Sequence, residues 1–116
     1  MNQVMLVGRL CKEPEVVTTE KDKKRSVITL AINRPYKNSE GLYEADFIRC
    51  VLWNNVALNT FSYCHTGDVL GIKGRLQTRS YEVEPEEKKY LMEVIAEKIT
   101  FISSHKNSLK TVEEES

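Results

Sequence analysis

The stretch Asp68–Glu84, DVLGIKGRLQTRSYEVE, constrains this chain more than any other. Its even positions read Leu70, Ile72, Gly74, Leu76 and Thr78. Its odd positions read Lys73, Arg75, Gln77, Arg79 and Tyr81. A period of two belongs to a strand, whose successive side chains point to opposite faces. One face is therefore small and apolar. The other is cationic, polar and closed by an aromatic, too charged to be core. Gly71 and Gly74 predict a bend, or the close approach of another backbone. A positive track beside an aromatic plane suits a polyanion that carries flat rings, which describes single-stranded nucleic acid.

The remaining sequence narrows the class. A chain of 116 residues makes one domain with a single modest core. Basic and acidic residues number 17 each, which argues against a protein that holds polyanions by total charge. Charges sorted by face can still do so. Three acids sit together at Glu113, Glu114 and Glu115; without them 17 basic and 14 acidic residues leave a charge of +3. Cys11, Cys50 and Cys64 are odd in number and widely spaced. They form no CxxC pair, and His65 and His105 complete no zinc set. Three reduced thiols are expected, in a reducing compartment. The start, MNQVMLVGRL, lacks the pattern of a signal peptide. No apolar run approaches the ~20 residues of a membrane span. A cytoplasmic protein is expected, with no membrane contact, no metal and no cofactor.

Four further strands and one helix follow from periodicity. In Asn2–Leu10, Val4, Leu6, Gly8 and Leu10 share one face, with Met5, Val7 and Arg9 opposite. Two largely apolar faces predict burial on both sides or pairing with another subunit. Residues 11–25 form a connection, with an exposed turn at Lys21–Arg25, either solvated or touching nucleic acid. Ser26–Arg34 is the second strand, ended by Pro35, which has no N–H to give. Tyr36–Tyr43 is a polar loop turning at Ser39–Glu40–Gly41. Its Tyr36 and Lys37 are not needed for a core. Glu44–Asn54 repeats the two-faced pattern: Ile48, Cys50 and Leu52 against Phe47, Arg49, Val51 and Trp53. A guanidinium between Phe47 and Trp53 is poor core material. Asn55–Cys64 reads as a helix capped by Asn54 or Asn55, with Ala57, Phe61 and Cys64 on its inner face and Gly67 as its stop. Tyr90–Ile102 is the last strand, after a reversal at Pro85–Lys88.

Five strands with one short helix between strands three and four fit an all-β OB-fold, a five-stranded Greek-key barrel. Residues 1–104 form this domain. Residues 105–116 make a short polar tail without periodicity, expected to be disordered.

Several motifs in succession resemble bacterial single-stranded DNA-binding proteins: VMLVGRLCKEPE, ITLAINRPYKN, EADFIRCVLW and GRLQTRSYE. The resemblance runs from about Met1 to Ile102. It implies base stacking on Tyr36, Phe47, Trp53 and Tyr81. It implies phosphate contacts from Arg34, Lys37, Arg49, Lys73, Arg75 and Arg79. It also implies a homotetramer, with Asn2–Leu10 in subunit contacts, acting on DNA in replication, recombination, repair or uptake. The chain departs from the family pattern at three places. Cys64–His65–Thr66–Gly67 replaces a basic pair before glycine. Asn54 and Asn55 stand where many relatives carry a cation. The tail VEEES is short and lacks the acidic tip, ending on a hydrophobic residue, that recruits replication and recombination proteins.

Two other readings compete. A zero net charge and the missing basic pair would suit an OB-fold adaptor whose partner is another protein. An enzyme would need a nucleophile–base pair, a metal cluster or a phosphate loop, and the sequence has none. Nothing in it reads a 2′-hydroxyl, so RNA stays open as a ligand beside DNA.

Overall fold

Among the described residues, segments rich in Val, Ile, Leu and Thr at alternate positions form six strands, and one helix joins two of them. They are β1 (Val4–Leu10), β2 (Val17–Thr18), β3 (Lys24–Lys37), β4 (Tyr43–Trp53), α1 (Asn54–Tyr63), β5 (Val69–Glu84) and β6 (Glu87–Ser103). The computed structural model describes residues 1–104, so the expected tail lies outside the described residues. The strand order is β1-β5-β6-β4-β3-β2, and β1 also pairs with β3. That last pairing closes the sheet into a barrel. All contacts are antiparallel except β4 with β6, which is parallel. The helix lies between β4 and β5, the third and fourth strands of the barrel proper. This is the expected OB-fold, with the two-residue β2 as an addition.

Alternation carries one side chain of each pair inward. Leu10, Leu30, Cys50, Leu52 and Leu70 are almost fully buried and, with Ile72 and Val94, fill the barrel. The first strand places Val4, Leu6, Gly8 and Leu10 on that side. Its other face, with Met5 and Val7, is open in the single chain.

Strand ends differ from the periodicity reading for local reasons. Val17 and Thr18 pair with Arg25 and Lys24 across a turn in which Asp22 has φ 59°. The second barrel strand therefore begins at Lys24. It also runs past Pro35, because the ladder shifts register between Asn33 and Lys37, where a missing N–H does little harm. The hairpin turn at Pro85–Glu86 is tight, with Glu86 at φ 97°, so β6 starts at Glu87.

The helix differs more. Trp53 is its N-cap residue and makes no side-chain cap bond. Asn54 adopts φ 51°, a left-handed corner that Asn tolerates, and its Oδ1 accepts the Lys24 N–H at 3.2 Å. The inward residues are Ala57, Thr60 and Cys64, while Phe61 is exposed. Thr60 can sit inside because its hydroxyl donates to the Val56 carbonyl at 2.8 Å.

The strand Val69–Glu84 bends where expected, at one of its two glycines. Lys73 pairs with Lys98 but Gly74 pairs with Ala96, so Glu97 is an extra residue in β6. A Cβ on Gly74 would collide with the Ile95 carbonyl, whereas one on Gly71 would make ordinary contacts. Beyond this point the β5–β6 hairpin leaves the barrel. From Arg75 to Glu84 both faces are exposed, Leu76 included.

Candidate nucleic-acid interface

Register builds one continuous outer face across β3, β4, β6 and β5. Paired residues in a sheet point the same way. Across β3 and β4 the outward pairs are Arg25 with Trp53, Val27 with Val51, Thr29 with Arg49, and Ala31 with Phe47. Val51 then meets Ile95 on β6. From β6 the rows continue to β5 as Ile95 with Arg75, Glu93 with Gln77, Leu91 with Arg79, and Lys89 with Tyr81. Three of the expected aromatics, Phe47, Trp53 and Tyr81, thus share a face with three expected cations, Arg49, Arg75 and Arg79. Phe47 is 69% exposed, so it does no core packing.

The middle of this face is a compact ionic cluster. Arg49 Nε donates to Glu93 Oε2 at 3.2 Å, and Arg79 Nε lies 3.9 Å from Glu93 Oε1. Glu93 is buried, whereas about half of each arginine stays open. A charge so far from water needs partners, and two guanidinium groups supply them. Glu93, Val51 and Ile95 are all buried. Glu93 draws both guanidinium groups to one point on the sheet.

At one end of the face Arg25 lies over the Trp53 ring, 5.8 Å from its centroid. Periodicity alone missed this residue, because Arg25 read as part of a turn. Extending the alternation of Val27 and Thr29 back one step would have found it. Glu93 was legible as an outward position beside Leu91 and Ile95, but its two partners lie in other strands.

Four expected residues lie outside this group. Lys73 is opposite Met5 on β1 and Lys98 on β6, on the barrel wall beside the first strand. Arg34 lies on the reverse of the β3–β4 ribbon. It donates from Nη1 to Glu44 at 2.8 Å, and from Nη2 and Nε to Asp46 at 2.9 and 3.1 Å. The hydrogen bond and charge of Asp46 raise the Arg34 pKa, and Arg34 in turn lowers that of Asp46. Tyr36 is exposed. It precedes Lys37, so alternation points it to the ribbon's other side. Lys37 itself is paired with Tyr43, its Nζ 5.7 Å from the ring centroid.

The loci that depart from the family pattern hold other contacts. His65 Nδ1 meets Glu13 Oε1 at 2.9 Å, and the same carboxylate accepts the Thr66 N–H. Among the described residues no cluster of three or more His, Cys, Asp or Glu could hold a metal ion. No helix among them is long and apolar enough to cross a membrane.

The model of the single-strand binding protein family matches residues 1–102. Single-stranded DNA-binding protein B of Bacillus subtilis is 46% identical over 101 residues, covering 87% of this chain and 89% of the relative. Single-stranded DNA-binding protein 3 of Listeria innocua is 44% identical over 107 residues, covering 92% of this chain and 67% of the relative. A Bacillus anthracis single-stranded DNA-binding protein is 44% identical over 102 residues, covering 88% of this chain and 59% of the relative.

Proposed function

This chain belongs to the single-strand binding protein family, and we propose that it binds and protects single-stranded DNA without sequence preference. The observation that carries this reading is the shared outer face of Trp53, Phe47, Arg49, Arg75, Arg79 and Tyr81. Bases stack on Phe47, Trp53 and Tyr81. Every base has a π-face, so stacking tolerates any sequence. Arg25 and Glu93 prepare the site before DNA arrives. Arg25 covers one face of Trp53, and Glu93 keeps Arg49 and Arg79 directed outward, so less side-chain entropy is lost on binding. Arg49, Arg75 and Arg79 contact phosphates. Lys37, Lys73 and Arg34 form a second set along the path, with Arg34 weakened by its two carboxylates. Tyr36 receives a base where the strand crosses to the ribbon's reverse.

The chemistry requires neither a catalytic group nor a cofactor. The protein acts by occupancy, coating strands during replication, recombination, repair or DNA uptake in the bacterial cytoplasm. Self-association into a homotetramer through Asn2–Leu10 is supported by the open Met5 and Val7, beside Gly71 on β5. Two apolar side chains on a regular strand are suited to cover by a second copy.

The test is a titration with oligo-dT that follows Trp53, the one tryptophan in the chain. Quenching at low salt that weakens as salt rises is expected. No change in emission and no mobility shift would end this reading. A parallel titration with oligo-rU separates DNA from RNA preference, and sedimentation of the free protein counts its subunits.

A further inference from the structure

We propose that Tyr43 is a further base-stacking residue, which extends the aromatic track along β4 beyond Phe47. The inference rests on the single-stranded DNA reading above and adds a contact that the family motifs do not mark. Tyr43, Ala45, Phe47, Arg49, Val51 and Trp53 are the odd positions of one unbroken strand, so they share a face. The register irregularity near Tyr43 lies in β3, where Asn33 pairs with Ala45 and Lys37 with Tyr43. Two β4 residues thus span four of β3. The strand carrying the aromatics keeps its alternation.

Tyr43 is 59% exposed and absent from the core, so packing does not account for it. Its setting suits a nucleobase. Lys37 approaches the ring with its ammonium 5.7 Å from the centroid, and the residue remains largely exposed. The same arrangement recurs at the far end of the strand, where Arg25 covers Trp53. Each is an aromatic with a cation from β3 beside it. A base stacks on the ring while its phosphate meets the ammonium.

The platform is also held in place. Asn38 Oδ1 accepts the N–H groups of Glu40 and Leu42, both at 2.9 Å. The Asn38 N–H donates to the Leu42 carbonyl at 2.7 Å, and Gly41 supplies φ 80° for the turn. The residue next to Tyr43 is therefore tied on both backbone groups. At about 3.3 Å per residue, Tyr43 stands ~13 Å from Phe47, and Phe47 ~20 Å from Trp53. The three rings form a ladder along one strand, spaced for a chain whose bases stack at intervals.

Two measurements test this. First, dT oligomers carrying 5-bromodeoxyuridine are irradiated with the native protein, and crosslinked peptides are sequenced with fragment ions that separate Tyr43 from Phe47. Adducts on Tyr43 are expected. Second, Tyr43→Leu is expected to bind oligo-dT about 5- to 100-fold more weakly, while Tyr43→Phe keeps the native affinity, since stacking uses the ring and not the hydroxyl. Adducts at Phe47 or Trp53 with none at Tyr43 overturn the proposal, as does full affinity in Tyr43→Leu. If Tyr43→Leu fails to fold, the crosslinks on the native protein decide. Native protein that neither binds nor crosslinks to dT overturns the underlying DNA reading instead.

Discussion

Arg49 donates to Glu93 at 3.2 Å across β4 and β6, the one parallel pair in the barrel. The carboxylate is 4% exposed, yet it sits in the centre of a face suited to a polyanion. Glu93→Gln is expected to lower stability by about 1–2 kcal/mol, because a charge-assisted hydrogen bond becomes a neutral one. The same change removes the carboxylate charge that partly offsets Arg49 and Arg79 at their phosphate contacts. The slope of log affinity against log salt should then steepen by about 0.7 for each arginine no longer offset. Urea unfolding and a salt series with oligo-dT measure the two effects separately. An unaltered slope would mean that the Glu93 charge does not offset either arginine at the phosphates.

Arg75 and Arg34 should behave differently although both are arginines near the site. Arg75 stands opposite Ile95 and has no ion-pair partner among the described residues. Arg34 is neutralised by Glu44 and Asp46. Arg75→Ala is expected to reduce the salt slope by about 0.7–1, equally for any DNA sequence. Arg34→Ala is expected to leave that slope nearly unchanged. A larger effect at Arg34 would show that DNA displaces its carboxylates.

Gly74 marks the bend at which the hairpin leaves the barrel. A methyl group there meets the Ile95 carbonyl, a backbone atom that cannot swing aside. Gly74→Ala should cost about 1–3 kcal/mol through strain in the β5–β6 ladder. Gly71→Ala has room and should cost much less. Chemical denaturation of the two variants provides the comparison. Equal losses would remove steric contact as the cause.

Glu13 makes one pH-dependent contribution. The Thr66 N–H, then the Thr66 and His65 side chains, hold its pKa down to about 2 from an ordinary 4.5. A carboxylate with a lowered folded-state pKa stabilises the fold above its unfolded value, and that stabilisation fades as pH falls through the folded one. The stability gap between the native protein and Glu13→Gln should be complete above about pH 4.5 and close towards pH 2. Equilibrium unfolding at several pH values reads the gap. A constant gap would assign the contact a purely geometric role.

Much of the site was legible in the sequence because alternation is local. A strand turns each successive side chain over, whatever it pairs with. Asp68–Glu84 and Glu44–Asn54 therefore each declared a cationic-aromatic face without any knowledge of neighbours. The order of strands and helix, with the family motifs, pointed to the barrel. The helix's inner face was less legible. Thr60 rather than Phe61 is buried, since a hydroxyl that bonds to its own helix can pass as a small core residue.

What the tertiary structure alone decided was the company each charge keeps. Arg34 and Arg49 look equivalent in sequence, two arginines in strands beside aromatics. Register sends Arg34 to Glu44 and Asp46 on the ribbon's reverse, and Arg49 to Glu93, 44 residues away, on the front. It likewise brings Arg25 over Trp53, and Lys37 to Tyr43. Side-chain direction is a property of the residue and its immediate neighbours. Electrostatic partnership depends on which strands lie side by side and at what offset, and only barrel closure sets that.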